Sequence, residues 1–356
     1  MESCKCSFRP KVANWKWVAP VLFLILCFTA QYTQAQSLGF EGPTGIFITP
    51  TAYVSPSPLK GVGRASGAFH SLAGGPVLGN FSTASVTFGF AQRFEIGYTG
   101  VIHSDGNPTH NVGNITNLSP LWKDDYSIAH GKANVIPENF MGLKWVPAVS
   151  VGGVFRFNDK EMFNGGSDQP LTSIFEVMEN DGYYHRTWNG DGYLVGTKTI
   201  TQIYAKTPIT LSGGVRGTNA ALWGLAGNAS CFKTRGFGSV AVEMPTLPYG
   251  IRVIPAAEYS QQPKNVAYGG YSRVAGGNIP GRGIHNSQGV LDMQGSEAYS
   301  LRIIPSPKYK LDLDASVLHI GDNVGSIPAA YNLTGKAVPI RLDAKYRVMF
   351  GVSYGF

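Results

Sequence analysis

The sequence has little charge, few cysteines and no long apolar run. Only 14% of its 356 residues are charged, whereas 43% are hydrophobic and 12% are aromatic. A disordered chain would show the opposite balance, rich in charge and poor in aromatic residues. The longest apolar run, from Val18 to Ala30, is shorter than the roughly 20 residues that a membrane-spanning helix needs. The composition therefore predicts neither a disordered chain nor a helical membrane protein.

The apolar run near the N-terminus is typical of a signal peptide. Four basic residues precede the run, and the small residue Ala35 follows it at a suitable cleavage position. We predict residues 1–35 as a signal peptide that is cleaved after Ala35. Cleavage removes those four basic residues and Glu2, which lowers the net charge from +7 to about +4, a charge that does not favour nucleic acid as a partner.

Cysteine is almost absent from the predicted mature chain. Three of the four cysteines lie in the predicted signal peptide, so that only Cys231 remains. A single cysteine forms no disulfide within one chain and makes no cysteine-based metal site. We therefore expect neither a metal nor a cofactor.

The C-terminal residues 340–356 alternate between apolar and polar side chains. Alternation with a period of two places the apolar side chains on one face of a strand. It continues here for longer than the usual 5 or 6 residues of a soluble strand, and a tilted membrane strand needs about 9 to 11. The same period predicts about twelve strands, near residues 62–72, 81–91, 93–103, 139–146, 149–157, 193–206, 209–216, 235–245, 249–260, 296–304, 309–319 and 340–356.

The predicted connections alternate between long polar stretches and short turns. This alternation is typical of a transmembrane barrel with short periplasmic turns and longer outer loops, and a soluble β-sandwich does not require it. We predict that residues 61–356 form an all-β fold, a transmembrane up-and-down antiparallel β-barrel in the bacterial outer membrane. The expected partners are outer-membrane lipid and the barrel-insertion machinery, which reads a terminal aromatic residue such as Phe356.

The polar faces of the predicted strands carry much of the charge. We predict that the lumen is lined by Arg64, Glu95, Lys144, Arg156, Lys198, Arg216, Arg252, Glu258, Arg302, Asp312, Asp314, Arg341, Asp343, Lys345 and Arg347. Basic residues outnumber acidic ones in this set, which favours a pore for anionic solutes. A ladder of cross-strand ion pairs that fills a narrow barrel is the alternative.

The sequence offers little for catalysis. The clusters His103-Ser104-Asp105 and His285-Asn286-Ser287 invite comparison with a hydrolase, but neighbouring residues of a strand point to opposite faces. A nucleophile needs its base within hydrogen-bond reach, so we do not expect an enzyme. Three carboxylates in predicted loops, Asp181, Asp191 and Asp322, are interpreted as turn residues.

Residues 36–60 fit neither a strand nor a plain linker. The segment is rich in Pro and Gly but contains Ile46, Phe47, Ile48 and Tyr53, which are costly to leave in water as an apolar patch. We interpret the segment as a plug or periplasmic segment that enters the barrel or covers its mouth. The alternative is a flexible leader.

Two stretches of the sequence carry a family resemblance. One reads Gly-Pro-Thr-Gly-Ile-Phe-Ile-Thr-Pro-Thr-Ala over residues 42–52, and the other includes Val242–Pro245, Pro248–Gly250 and Glu258-Tyr259. Both resemble motifs of the YjbH-like outer-membrane proteins, which are encoded with exopolysaccharide and capsule genes. The resemblance implies a barrel linked to polysaccharide export, with polysaccharide and export-system proteins as partners. We expect passage or secretion of an anionic or sugar-like solute, or, alternatively, a non-conducting structural or surface-binding barrel that acts through its outer loops.

Overall fold

The computed structural model describes most of the chain beyond residue 36. The described residues are 37–74, 80–104, 126–157, 188–201, 207–220, 228–262, 266–267, 290–291, 295–306, 308–320, 324–327, 338–341 and 346–355. The predicted signal peptide lies outside them. Every structural statement below refers to this part of the chain.

The described secondary structure consists of strands and two short 3-10 turns. The strands are β1 (Ser37–Leu38), β2 (Thr44–Gly45), β3 (Ser66–Ala73), β4 (Asn80–Phe90), β5 (Phe94–Ser104), β6 (Tyr126–Ile136), β7 (Ala148–Phe157), β8 (Trp188–Ile200), β9 (Ile209–Ala220), β10 (Asn228–Val242), β11 (Arg252–Gln261), β12 (Val266–Ala267), β13 (Val290–Leu291), β14 (Gly295–Ile304), β15 (Leu311–Ile320), β16 (Val324–Ile327), β17 (Val338–Arg341) and β18 (Tyr346–Tyr354). Among the described residues, no helix is long and apolar enough to cross a membrane.

Twelve of these strands close into an antiparallel barrel. Strands β3 to β11 pair with their neighbours in chain order, and β14, β15 and β18 continue the sheet. The barrel closes where β18 pairs with β3, so that Phe350 lies opposite Ala315 on one side and opposite Ser71 on the other. Closure leaves no free edge in the barrel wall of these twelve described strands, as a strand structure in lipid requires. The predicted all-β, up-and-down fold of about twelve strands is confirmed.

The outer face of the barrel is apolar. On β18, Val348 and Phe350 are 44% and 60% exposed and point outward, whereas Met349 between them is fully buried. The other wall strands repeat this alternation. Exposed aromatic side chains lie towards both ends of the apolar band, because Tyr346 begins β18 and Tyr354 ends it. An apolar band flanked by aromatic residues is the surface of an outer-membrane barrel.

The connections at one end of the barrel are short. A tight turn at residues 91–93 joins β4 to β5, and residues 305–310 join β14 to β15. We call this end the short-turn rim. The connections at the other end are longer for the most part, and residues 105–125 and 158–187 there lie outside the described part of the chain.

The sequence-based prediction of a strand at residues 139–146 is wrong. These residues form a turn at the short-turn rim, where Asn139 and Met141 adopt positive φ values of 59° and 58°. The wall strand is β6, which lies within a predicted loop. Its outward positions include the small residues Ala129, Gly131 and Ala133, so its sequence shows no clear apolar period.

The predicted closing strand over residues 340–356 is too long. The wall strand β18 begins only at Tyr346. Residues 338–341 form β17, which pairs with β16 in a separate two-stranded sheet, with Arg341 opposite Val324. Both stretches alternate, so periodicity alone did not separate them.

Candidate functional site: the plugged lumen

The N-terminal segment lies inside the barrel. We call residues 37–60 the plug. It begins with a tight turn in which β1 pairs with β2, and the amide of Phe40 donates to the carbonyl of Phe47 (2.8 Å). Phe40 and Phe47 are each 1% exposed. Side chains of the barrel wall surround the plug and satisfy much of its backbone.

Glu95 on β5 holds one side of the plug. Its carboxylate accepts hydrogen bonds from the amide of Thr44 (3.0 Å) and the amide of Ser55 (2.8 Å). Lys132 on β6 lies 3.0 Å from the same carboxylate, and both side chains are fully buried. The Lys132 ammonium also donates to the carbonyl oxygens of Thr44 and Thr51. The Glu95 carboxylate therefore accepts hydrogen bonds from plug amides, and the adjacent Lys132 ammonium donates hydrogen bonds to plug carbonyls.

Glu258 on β11 holds the other side of the plug. One carboxylate oxygen accepts from the amide of Ile48 (3.0 Å), the amide of Thr49 (2.8 Å) and the hydroxyl of Thr49 (2.7 Å). Glu258 and Thr49 belong to the two stretches that resemble YjbH-like motifs. The structure brings these stretches together, although they lie about two hundred residues apart in sequence.

Neutral side chains hold the C-terminal part of the plug. The amide of Ala52 donates to the hydroxyl of Thr197 on β8 (2.8 Å). The carbonyl of Ala52 accepts from Asn134 (2.9 Å) and from the hydroxyl of Ser150. Tyr53 donates its hydroxyl to Glu138 in the β6–β7 connection (2.8 Å). The plug thus contacts β6, β7 and β8 through its backbone.

A chain of buried charges crosses from the plug to β9. Arg156 on β7 lies 2.5 Å from the plug residue Glu41 and 2.8 Å from Asp191 on β8. Arg216 on β9 lies 3.8 Å from Asp191. Burial raises the pKa of Glu41, and the Arg156 guanidinium opposes that rise. Charges in a low-dielectric interior need such partners.

Next to this chain, a small gap between the plug and strands β7 to β9 is lined by Glu41, Asp191, Tyr193 and Arg216. Three buried polar atoms at its wall, Asp191 Oδ1, Tyr193 Oη and Arg216 Nε, have no hydrogen-bond partner.

Apolar side chains of the plug are also buried, since Leu38 is 0% exposed and Ile46 is 4% exposed. Ile46 packs in a small cluster with Ala241, Ile254 and Ile304, and Phe47 lies edge-on to His70 with ring centroids 5.2 Å apart. Beside the cluster, Arg302 donates to the carbonyl of Ile46 (2.6 Å) and to Asp314 (2.8 Å). Hydrogen bonds, ion pairs and buried apolar side chains therefore seat the plug together.

Close approach of plug and wall requires glycine at two positions. Gly42 of the plug has a φ of +102°, and a Cβ atom there would lie 2.4 Å from the Thr99 hydroxyl. A Cβ atom on Gly89 of β4 would lie 2.0 Å from the carbonyl oxygen of Ser55. Any side chain at either position would push the plug away from the wall.

The structure places the predicted lumen residues in three groups. Those on the inward face of wall strands are Glu95, Arg156, Arg216, Arg252, Glu258, Arg302, Asp312, Asp314 and Arg347. Arg64 and Lys144 are exposed at the short-turn rim, Lys198 lies near the same rim, and Arg341 belongs to β17, which is not part of the barrel sheet. Asp343 and Lys345 lie outside the described residues.

The misplaced residues have simple physical reasons. Lys144 was predicted on a strand that is a turn, and Arg64 precedes β3. Lys198 shares the strand parity of the outward-facing Leu194, and its ammonium lies 3.1 Å from Glu138 at the rim. Arg64 and Lys144 thus lie outside the wall strands, and Lys198 lies on the outward face of one.

Glu41, Lys132, Glu138 and Asp191 are charged residues of the site that the sequence-based prediction missed. Asp191 sits between glycines in Gly190-Asp191-Gly192 and resembles a turn residue, yet it lies on β8 and pairs with Arg156. Lys132 lies on β6, which was predicted as a loop. For Asp191, the alternation of Tyr193, Val195 and Thr197 extends back to it and is a signal that could have found it.

Comparisons with known proteins give structural similarity alone. No protein-family model matches the chain, and no curated protein matches its sequence. The chain is similar to Wzi of Escherichia coli, described as a carbohydrate-binding β-barrel involved in group 1 capsule assembly, with 10% identity, a TM-score of 0.25, and coverage of 78% of this chain and 52% of Wzi. It thus spans about half the length of Wzi.

Two further solved structures match this chain over nearly their whole length. The β domain of the Bordetella autotransporter BrkA shows 12% identity and a TM-score of 0.32, with 83% of this chain and 99% of that chain covered. The COG4313 outer membrane channel of Pseudomonas putida F1 shows 8% identity and a TM-score of 0.33, with 85% and 100% covered. We transfer no residue role from any of these structures.

Proposed function

We propose that this protein is a gated outer-membrane barrel. The N-terminal plug closes the lumen at rest, and passage of an anionic or sugar-like solute requires the plug to leave its seat. The observation that carries this proposal is the chemistry of the seat, in which Glu95, Glu258 and Lys132 bind plug backbone groups.

A seat of this kind supports reversible closure. Water can replace a hydrogen bond to a carboxylate or an ammonium, whereas the buried rings of Phe40 and Phe47 favour the closed state. A lumen wall with Arg156, Arg216 and Arg302 would remain hydrophilic after the plug leaves. Basic residues on that wall favour anions, because charge along a narrow aqueous path sets selectivity.

We further propose that the solute belongs to exopolysaccharide export and that the chain is a YjbH-like protein. The support is the hydrogen bond between Thr49 and Glu258, because it joins the two motif-like stretches where the plug meets the barrel wall. The proposed partners are outer-membrane lipid, the barrel-insertion machinery, polysaccharide and export-system proteins. We propose no enzymatic activity and no cofactor.

A non-conducting barrel that binds its target through the outer loops is the second candidate. The filled lumen favours it, because Glu95 and Lys132 are fully buried beneath the plug. In this case the plug would be a permanent part of the barrel core, and the proposed solute would never cross.

Planar-bilayer recording separates the two candidates. The wild type and a Glu95→Ala/Glu258→Ala variant would be compared, after a heat-dependent gel shift has shown that both are folded. We expect rare openings in the wild type and stable steps in the variant, with a reversal potential in a KCl gradient that indicates anion preference. Silence of both folded proteins would overturn the gated-barrel proposal and favour the binding role.

A further inference from the structure

The short-turn rim carries many exposed cations. Five described residues of this kind are exposed there, namely Lys60, Arg64, Lys144, Lys308 and Lys310. They are spread over three places, the segment before β3 and the connections β6–β7 and β14–β15. The cations therefore follow an arc of the rim rather than a single spot.

Exposed aromatic and apolar side chains lie among these cations. Trp145 follows Lys144 and is 74% exposed, and the Lys308 ammonium lies 5.9 Å from the centre of the Tyr309 ring. Such residues sit at the level of lipid headgroups when they border an apolar band. The outward apolar face begins next to this rim, since Phe94 directly follows the β4–β5 turn and is exposed.

The acidic residues described at this rim already form ion pairs. Glu138 lies 3.1 Å from Lys198, and Glu243 lies 2.8 Å from Arg252. Both acids are paired with cations of wall strands, so they do not neutralise the five exposed cations. The described part of the rim therefore keeps an excess of positive charge.

We propose that the short-turn rim is a binding surface for anionic phospholipid headgroups. The cations contact the phosphates of the leaflet that borders the rim, and Trp145 and Tyr309 enter the interface beside them. Charge complementarity and the position of the cations beside the lipid-facing band select this partner. The surface would orient the barrel in the membrane and stabilise it there.

The test compares the mature full-length protein in two kinds of vesicle. One is pure phosphatidylcholine, and the other contains phosphatidylglycerol in addition. We expect a higher midpoint of urea unfolding with phosphatidylglycerol, and loss of that difference in high salt, because salt screens exposed charges. A Lys144→Gln/Lys308→Gln/Lys310→Gln variant should lose more than half of the difference.

The matched control removes the same charge elsewhere. A Lys233→Gln variant alters an exposed lysine of β10, which lies opposite Thr218 towards the other end of the barrel, and should retain the full phosphatidylglycerol effect, whereas Lys144→Gln should lose part of it. Equal responses of Lys233→Gln and Lys144→Gln would overturn the proposal, because net charge would then explain the effect. If the rim variant does not fold in either vesicle, Lys144→Gln alone is measured, and an unchanged phosphatidylglycerol effect there would equally overturn it.

Discussion

The two faces of the barrel wall are built from the same strands but meet different surroundings. On β5, Ile96 and Tyr98 point outward and are exposed, whereas Glu95 and Thr99 point inward and contact the plug. The outward face needs only apolar character, so many side chains would serve there. The inward face needs particular hydrogen-bond donors and acceptors, because they bond to specific groups of the plug. Substitutions on the two faces should therefore fail in different ways.

The largest effect should come from the inward face at Glu95. Glu95→Ala leaves the Lys132 ammonium buried without its carboxylate and removes the acceptor of the Thr44 and Ser55 amides. Loss of one partner of a buried pair costs about 3 to 5 kcal/mol, here in the free energy of seating the plug. Cleavage near Phe47 by a protease should accelerate by about 100-fold or more.

Glu243→Ala is the control for this variant. Glu243 also pairs with an arginine, Arg252, but it lies at the rim rather than beneath the plug. Protease protection of the plug should be unchanged in this control. Equal protection in Glu95→Ala and wild type would contradict the role of Glu95 as an anchor.

The next effect should come from the outward face at Phe350. This residue lies at the middle of β18 and is 60% exposed, so Phe350→Arg would place a charge in hydrocarbon. We expect a loss of about 2 to 4 kcal/mol in folding into lipid, measured by folding titrations in vesicles. Val348→Arg lies nearer the strand end and should cost less, whereas Phe350→Leu should be tolerated. Equal tolerance of arginine and leucine at Phe350 would contradict the membrane-facing assignment.

A smaller effect separates two threonines of the plug. The Thr49 hydroxyl donates to Glu258 at 2.7 Å, whereas the Thr51 hydroxyl reaches the Thr44 carbonyl only at 3.5 Å. Thr49→Val should weaken plug seating by about 1.5 kcal/mol, seen as roughly tenfold faster cleavage near Phe47. Thr51→Val should change the rate much less, and the reverse order would refute this reading of the seat.

The smallest effect on folding is expected at Arg347. This inward residue of β18 is half-buried, so Arg347→Gln keeps a polar group at a polar position. We expect a change of less than about 1 kcal/mol in folding. In a barrel whose plug has been released, the same substitution should reduce anion preference, read from the reversal potential. An unchanged reversal potential would remove Arg347 from the path of the solute.

Local alternation explains how much of this fold could be predicted. Strands with large outward side chains, such as β18 with Val348 and Phe350, show a clear period of two and were found. β6 was missed because Ala129 and Gly131 face outward, and small residues give no apolar signal. An outward-facing wall position needs only an uncharged residue, so the sequence of a wall strand can lack a clear apolar pattern.

The plug seat was beyond prediction for a different reason. The Ile46–Tyr53 stretch indicated burial, but nothing local shows that Thr49 meets Glu258 or that Ala52 meets Thr197. Those pairs depend on how the twelve strands close into a barrel and on the path that the plug takes through the lumen. The lumen charges were interpreted as pore lining, and their hydrogen bonds to plug backbone emerge only when the fold is complete.

The most direct test of the account is a reversible lock on the plug. Ala52→Cys and Thr197→Cys replace residues in contact, since the Ala52 amide lies 2.8 Å from the Thr197 hydroxyl. Both would be introduced with Glu95→Ala in a Cys231→Ser background, and single-channel conductance would be recorded before and after reduction. The account predicts silence with the disulfide formed and stable conductance steps once it is reduced. Conductance that is the same in both states, with disulfide formation verified, would show that the plug does not close this barrel.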